Sequence, residues 1–220
     1  MDHPPALIAA GAADPNRLLV LYAHPAPHLS RVNRRLADCA RQVDGVFVHD
    51  LYDTYPDFYI DVAREQALVA RAEVLVFLHP LQWYGAPALM KEWVDCVLAE
   101  DWTSGGGTDN TAAGGALRGK RYWLVASTGG GAEEYAVGAR HGRPFADYLA
   151  PFAQTAALCG MEWIAPHILH AAHAVDAATL DAHVARFGAL LQGLAAATLP
   201  GHDPGPGHAK GHAAGADDDL

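Results

Sequence analysis

Three short stretches of this chain collect residue types that bind and orient ligands. The first, His24-Pro25-Ala26-Pro27-His28-Leu29-Ser30-Arg31-Val32-Asn33, ends on a Ser and an Asn that bracket the start of a helix. Free backbone N–H groups and the positive end of a helix dipole make such a turn a phosphate site, with an ordinary capped helix as the plain alternative. The second, His79-Pro80-Leu81-Gln82-Trp83-Tyr84-Gly85-Ala86-Pro87, sets two adjacent aromatics in a loop between prolines. Core packing explains that poorly, whereas a planar apolar ligand with polar edges suits it. The third, Ser127-Thr128-Gly129-Gly130-Gly131, is followed by Tyr135 and His141. Consecutive glycines leave backbone N–H groups unobstructed for a ligand's polar edge, and a flexible surface turn is the bland alternative.

Each stretch follows a short apolar run. Residues 17–23, 46–51, 74–79, 121–127 and 161–170 read as strands, and 61–72, 87–98, 145–158 and 176–197 as helices, with a further helix behind Ser30, where Val32, Leu36, Cys39 and Ala40 recur at helical spacing. Ser30 stands at the N-cap position, and Pro87 suits a first helical turn. Strict alternation of strand and helix implies a parallel sheet covered on both faces. Ligands then sit beyond the C-terminal strand ends, where the strand order switches, and all three unusual loops leave such ends.

The ordered set LYAHPAPHLSRVNRRL, LYDTYPDFYID, HPLQWYGAPALMKEWVDCVL and STGGGAEEYAVG, within a pattern covering about 17–194, resembles the flavodoxin-like NAD(P)H:quinone oxidoreductases. Within them it is most similar to the cytoplasmic ancillary proteins of bacterial glutathione-gated potassium-efflux systems. The resemblance implies an α/β, flavodoxin-like three-layer sandwich around a five-stranded parallel sheet of order 2-1-3-4-5. It implies a flavin, FMN in preference to FAD, with NADH or NADPH as co-substrate and two-electron hydride transfer through the flavin to a quinone. His24, Ser30, Arg31, Val32 and Asn33 would then hold the flavin phosphate. Leu81, Gln82, Trp83 and Tyr84 would line the isoalloxazine ring, and Ser127, Thr128, Gly129 and Gly130 would meet its pyrimidine end. The six-residue step from Tyr135 to His141 is similar to the Tyr and His that face flavin and quinone in the animal enzymes, which makes these two the catalytic candidates. A homodimer is implied as well. The alternative output is a regulatory subunit docking on a potassium-efflux transporter, alongside or in place of catalysis. A flavodoxin-type electron carrier is a third reading, disfavoured by the aromatic pocket residues.

Composition narrows the field further. With 220 residues, 51% of them apolar, one packed domain is expected over 17–198, after a poorly ordered leader at 1–16 and before a disordered Gly/His/Asp-rich tail at 199–220. The formal charge of -10 argues against a nucleic-acid surface. No apolar run reaches the roughly 20 residues of a membrane span, and the first residues do not resemble a signal peptide. A cytoplasmic location follows, with peripheral membrane placement only through a partner. Cys39, Cys96 and Cys159 read as buried free thiols. The run Gly114 to Lys120 has the spacing of a phosphate loop, but Arg121 stands where Ser or Thr is needed and the glycines precede a strand. His167, His170 and His173 recur in steps of three without a Cys or carboxylate, which favours structural or surface roles, and no metal is expected. His202, His208 and His212 would bind metal only incidentally.

Overall fold

The computed structural model describes residues 17–99 and 115–198. Leu18–Tyr22 (β1) and Val74–Pro80 (β3) are almost wholly apolar and have no polar face to give to water, so they occupy the middle of a sheet, buried along nearly their whole length. β1 pairs in parallel with Val46–Asp50 (β2) on one side and with β3 on the other. Beyond β3 come Arg121–Ser127 (β4) and Glu162–Leu169 (β5), which completes the expected order β2-β1-β3-β4-β5. The chain leaves β1 toward one edge and returns on its other side at β3. The loops after these two strands therefore part and open a cleft at their C-terminal ends.

Side chains alternate across each strand, and this sorts the core into two layers. Leu18, Val20, Tyr22, Val74, Val76 and Leu78 meet Val32, Leu36 and Ala40 of Val32–Ala40 (α1) and Phe187 and Leu191 of the C-terminal helix. Leu19, Leu21, Leu75 and Phe77 meet Val69 of Val62–Arg71 and Leu89, Met90 and Trp93 of Ala88–Val97. With the short Leu51–Thr54 as α2, these two helices are α3 and α4, Phe145–Leu158 is α5 and Ala177–Thr198 is α6.

One carboxylate is sealed inside this frame. Glu65 of α3 has no exposed surface, and it accepts from His49 Nε2 of β2 at 2.9 Å, the Tyr55 hydroxyl at 2.5 Å and Trp93 Nε1 of α4 at 2.8 Å. Burial pushes its carboxyl upward, but these three hydrogen bonds outweigh it and leave Glu65 below the usual carboxylate range.

The structure departs from the sequence expectations at several points. β2 stops at Asp50, whose carboxylate accepts the Asp53 N–H at 3.3 Å and starts α2, so Leu51 opens a helix and does not close a strand. The segment 101–119 reads as a surface loop, yet Leu117 is completely buried against the sheet; residues 101–114 lie outside the described residues, as do the leader and the tail beyond Thr198. Lys120 donates to the carbonyls of Ala70 and Ala72, capping the C-terminal end of α3 where a cation is favoured. The three thiols are free but only half-buried, each pushed upward by desolvation.

Candidate functional site

Two adjoining cavities lie where the cleft opens. The first, of about 310 Å³, is bordered by the β1 loop and the start of α1, with Leu81 and Gln82 from the β3 loop and Ser127 to Gly129 from the end of β4. Every residue expected around a phosphate, His24, Ser30, Arg31, Val32 and Asn33, lines it. Ser30 has extended backbone and its hydroxyl accepts the Arg34 N–H at 3.0 Å, so it caps α1 even though the first helical residue is Val32. His24 Nδ1 accepts the Ala26 N–H at 3.2 Å, which fixes the proton on Nε2 and leaves that N–H as a donor. Desolvation lowers the His24 imidazole, so the ring is neutral near pH 7.

Asn33 is only 2% exposed, with its amide nitrogen 3.0 Å from Ser127 Oγ and its Oδ1 buried without a partner. Turned over, the amide accepts from Ser127 through Oδ1 and places its NH₂ at the unpartnered position. An anion at the first turn of α1 would thus find donors from Asn33 and His24 and the helix dipole, so these residues fit a flavin phosphate.

The second cavity, of about 470 Å³, meets the first at Leu81, Gly129 and His173. One wall is a tight hairpin turn closed by reciprocal bonds between Gln82 and Gly85, at 3.0 and 3.1 Å. Its central residues, Trp83 and Tyr84, carry φ of 49° and 66°, a conformation that hairpins usually give to Asn or Gly. Left-handed backbone at such residues costs about 1–3 kcal/mol each and persists where the surroundings hold it, commonly at binding sites. The turn presents Trp83 to solvent at 95% exposure.

The opposite wall is the segment after β4. The Thr128 hydroxyl donates to Gly130 O at 2.8 Å and accepts from His170 Nδ1 at 2.9 Å, anchoring the glycine run. Gly131 N–H is taken by Glu134 Oε1 at 2.8 Å, an interaction that leads in holding the Glu134 carboxyl low. Among the described residues no internal hydrogen bond engages the Gly129 or Gly130 N–H. Tyr135 stacks on His141 with centroids 4.2 Å apart, and His141 Nδ1 lies 3.3 Å from the Tyr84 hydroxyl. His141 Nε2 is buried without a hydrogen-bond partner, 4.0 Å from Glu134 Oε2.

The residues expected at the phosphate, along the ring, at its pyrimidine end and in catalysis thus all border these two spaces. Sequence reasoning missed four more: Arg140, Phe145, Tyr148 and His173 also line the second cavity. Tyr148 stacks on Tyr84 at 4.8 Å and donates its hydroxyl to His141 O at 2.6 Å. The three histidines in steps of three diverge. His167 stacks on His183 at 3.9 Å, His170 holds Thr128, and His173 stands beside Gly129. Among the described residues no cluster suited to a metal occurs.

Comparison with known proteins follows the same outline. A family model described as flavodoxin-like fold matches residues 16–191. The glutathione-regulated potassium-efflux system ancillary protein KefF of Citrobacter koseri is 42% identical over 170 residues, covering 77% of this chain and 92% of that protein. A solved structure named as a thermophilic tryptophan halogenase from Streptomycin violaceusniger is 34% identical with TM-score 0.70, covering 77% of this chain and 95% of that one. The general stress protein 14 of Treponema denticola, solved in complex with FMN, is 32% identical with TM-score 0.69 over 82% of this chain and 98% of its own. A putative quinone reductase of Klebsiella pneumoniae is 26% identical with TM-score 0.66 over 80% and 84% of the two chains.

Proposed function

Because the chain belongs to the flavodoxin-like family, we propose that it is an FMN-dependent NAD(P)H:quinone oxidoreductase in which one flavin spans the two adjoining cavities. The observation that carries this reading is their junction at Leu81, Gly129 and His173, which joins a donor-rich anion end to an aromatic-walled end. When bound, FMN would supply two-electron redox chemistry between NAD(P)H and a quinone. The FMN complex of the Treponema denticola protein supports the choice of flavin. The neighbours' names span more than one reaction. A quinone is preferred because Tyr84 and Tyr135, with His141, offer flat faces to a planar acceptor, a preference in line with the name of the Klebsiella pneumoniae protein.

Each side chain then has a bounded task. His24 Nε2–H, Ser30, Arg31, the Val32 backbone and Asn33 hold the phosphate at the start of α1. Leu81, Gln82, Trp83 and Tyr84 lie along the ring and keep water from one side of it. Ser127 and Thr128 brace the loop, and the Gly129 and Gly130 N–H groups face the ring's polar edge, where negative charge grows on reduction. Tyr135 and His141 line the second cavity, where a hydroxyl or imidazole would donate to the acceptor's oxygen.

The test is direct. The purified protein is expected to show flavin absorbance that NAD(P)H bleaches and a quinone restores, and a colourless protein that FMN and FAD fail to reconstitute would overturn the assignment. Asn33→Ala should weaken FMN binding roughly tenfold or more, since a hydrogen bond to a charged group is worth about 1.5–3 kcal/mol. Added FMN should then restore turnover. Full occupancy in Asn33→Ala would remove Asn33 from the phosphate site.

A second reading has its own support. The potassium-efflux ancillary protein is 42% identical, and Trp83 projects beside the site at 95% exposure, so docking on a potassium-efflux transporter is a second output compatible with catalysis. Pairing of two copies would cover the same exposed aromatics, Trp83 and Tyr84, which one chain leaves in water. Sedimentation at micromolar concentration is expected to give a homodimer; a monomer alone would count against it.

A further inference from the structure

A fourth loop, the one after β5, also reaches the cleft. Ala171 N–H donates to Gly130 O at 2.8 Å and Ala172 N–H to Thr128 O at 2.9 Å, which straps this loop along the glycine run after β4. Ala171 itself has φ of 53°, a left-handed conformation in a residue with a β-carbon, and its carbonyl accepts from the N–H groups of Ala174 and Val175 at 2.9 and 3.0 Å. Such backbone persists where the surroundings hold it, so the turn is fixed and not merely a surface crossing. His173 is carried inside it.

The turn sets His173 against Gly129, where an added β-carbon would lie 3.8 Å from His173 Cδ2 and 3.9 Å from Nε2. The Cδ2–Nε2 edge of the imidazole therefore faces the glycine run. Among the described residues no hydrogen bond or ion pair engages this ring, and it borders both cavities at their junction. An exposed histidine on a loop is ordinarily just solvated, but this one is held by a strained, doubly strapped turn at the point where the two cavities join. Its Nε2 can donate from either the neutral or the protonated ring.

Flavin connectivity then says what stands there. The ribityl chain leaves the ring at N10, one carbon from N1, so at a junction between the phosphate end and the ring end the nearest polar atoms are N1 and the C2 carbonyl. Two electrons and one proton delivered from NAD(P)H to the oxidised ring leave one negative charge, and N1 and the C2 carbonyl carry it. We propose that His173 is a potential-setting residue, whose Nε2–H donates to this edge and favours the reduced flavin over the oxidised one. The proposal rests on the reading of the cleft as a flavin site. It adds a side-chain donor from the β5 loop to the backbone donors of Gly129 and Gly130.

The test separates the two. Oxidised FMN is titrated into the flavin-stripped wild type and the His173→Ala and His173→Gln variants, and the midpoint potential of bound FMN is read anaerobically against a reference dye. In His173→Ala, affinity for oxidised FMN should stay within about twofold while reduced FMN binds about tenfold more weakly, a fall of about 30 mV in the two-electron midpoint potential. Gln places an amide nitrogen close to where the imidazole has Nε2, so His173→Gln should recover most of that fall. An unchanged potential in His173→Ala would overturn the proposal, and so would equal weakening of both flavin forms, the mark of a merely structural residue. A Gln variant no better than Ala would overturn it as well. Failure of the wild type to bind FMN at all would remove the flavin reading and this proposal together.

Discussion

Glu65→Ala is expected to destabilise the fold by about 3–5 kcal/mol, the cost of breaking a buried charged network by removing one member. The substitution strips an acceptor from three donors at once. His49 Nε2, the Tyr55 hydroxyl and Trp93 Nε1 would all be left inside the protein without water. These donors come from β2, the end of α2 and α4, so the loss also releases three elements from one another. Against a total stability of about 5–15 kcal/mol, such a change is a large fraction. The pH dependence carries a second signature. Glu65 sits below the ordinary carboxylate range, so its contribution is complete above the unfolded value of about 4.3 and is lost as pH falls through the folded value. Urea melts of the wild type should therefore weaken on acidification below about pH 4 through this group, and the Glu65→Ala variant should lack that part of the slope. A midpoint shift worth less than about 1 kcal/mol would show that the network contributes little.

That network also marks where sequence reasoning stops. Glu65 lies in the run Arg64-Glu65-Gln66, whose polarity suggests a solvated helix face, and nothing in its spacing announces donors from residues 49, 55 and 93. The sheet was legible for the opposite reason. β1 and β3 are covered on both faces, so their apolar runs are continuous and end sharply at His24 and Pro80, and alternation with helices leaves a parallel sheet as the natural solution. The loops drew attention because their composition resists a packing explanation: adjacent Trp83 and Tyr84, and three glycines in a row. Phe145 and Tyr148 stayed hidden because aromatics at helical spacing in α5 read as core. His79 was legible only as part of a loop motif. Its complete burial and unpaired nitrogen come from α4 and α5 closing over it, a long-range effect that a local window does not contain.

Gly130→Ala should lower quinone turnover per bound flavin by about 100-fold, although it adds a single methyl group. The reason is geometric. A β-carbon at Gly130 would lie 2.7 Å from His141 Nε2, closer than real β-carbons come to other atoms, and 3.3 Å from Glu134 Oε1, a tight contact. The imidazole cannot simply swing away, because it is stacked on Tyr135 at 4.2 Å and paired with the Tyr84 hydroxyl at 3.3 Å. Its displacement would therefore move Tyr135 and Tyr84, two of the aromatics that border the second cavity. His141→Ala removes the obstacle together with the ring, and is expected to leave FMN bound while slowing turnover about tenfold, as for loss of one donor near developing charge. The double variant is the decisive measurement. Independent effects would multiply to about 1,000-fold, whereas a methyl group that acts only by displacing His141 has nothing left to displace. The double variant should then be no slower than His141→Ala, a coupling of about 2.7 kcal/mol between the two positions. Flavin content must be measured in every variant so that turnover is counted per occupied site. A double variant about 1,000-fold slower would mean that Gly130 acts on the ligand directly, through its own backbone and the space beside it. Normal turnover in His141→Ala would leave that ring as a wall of the cavity with no part in the reaction.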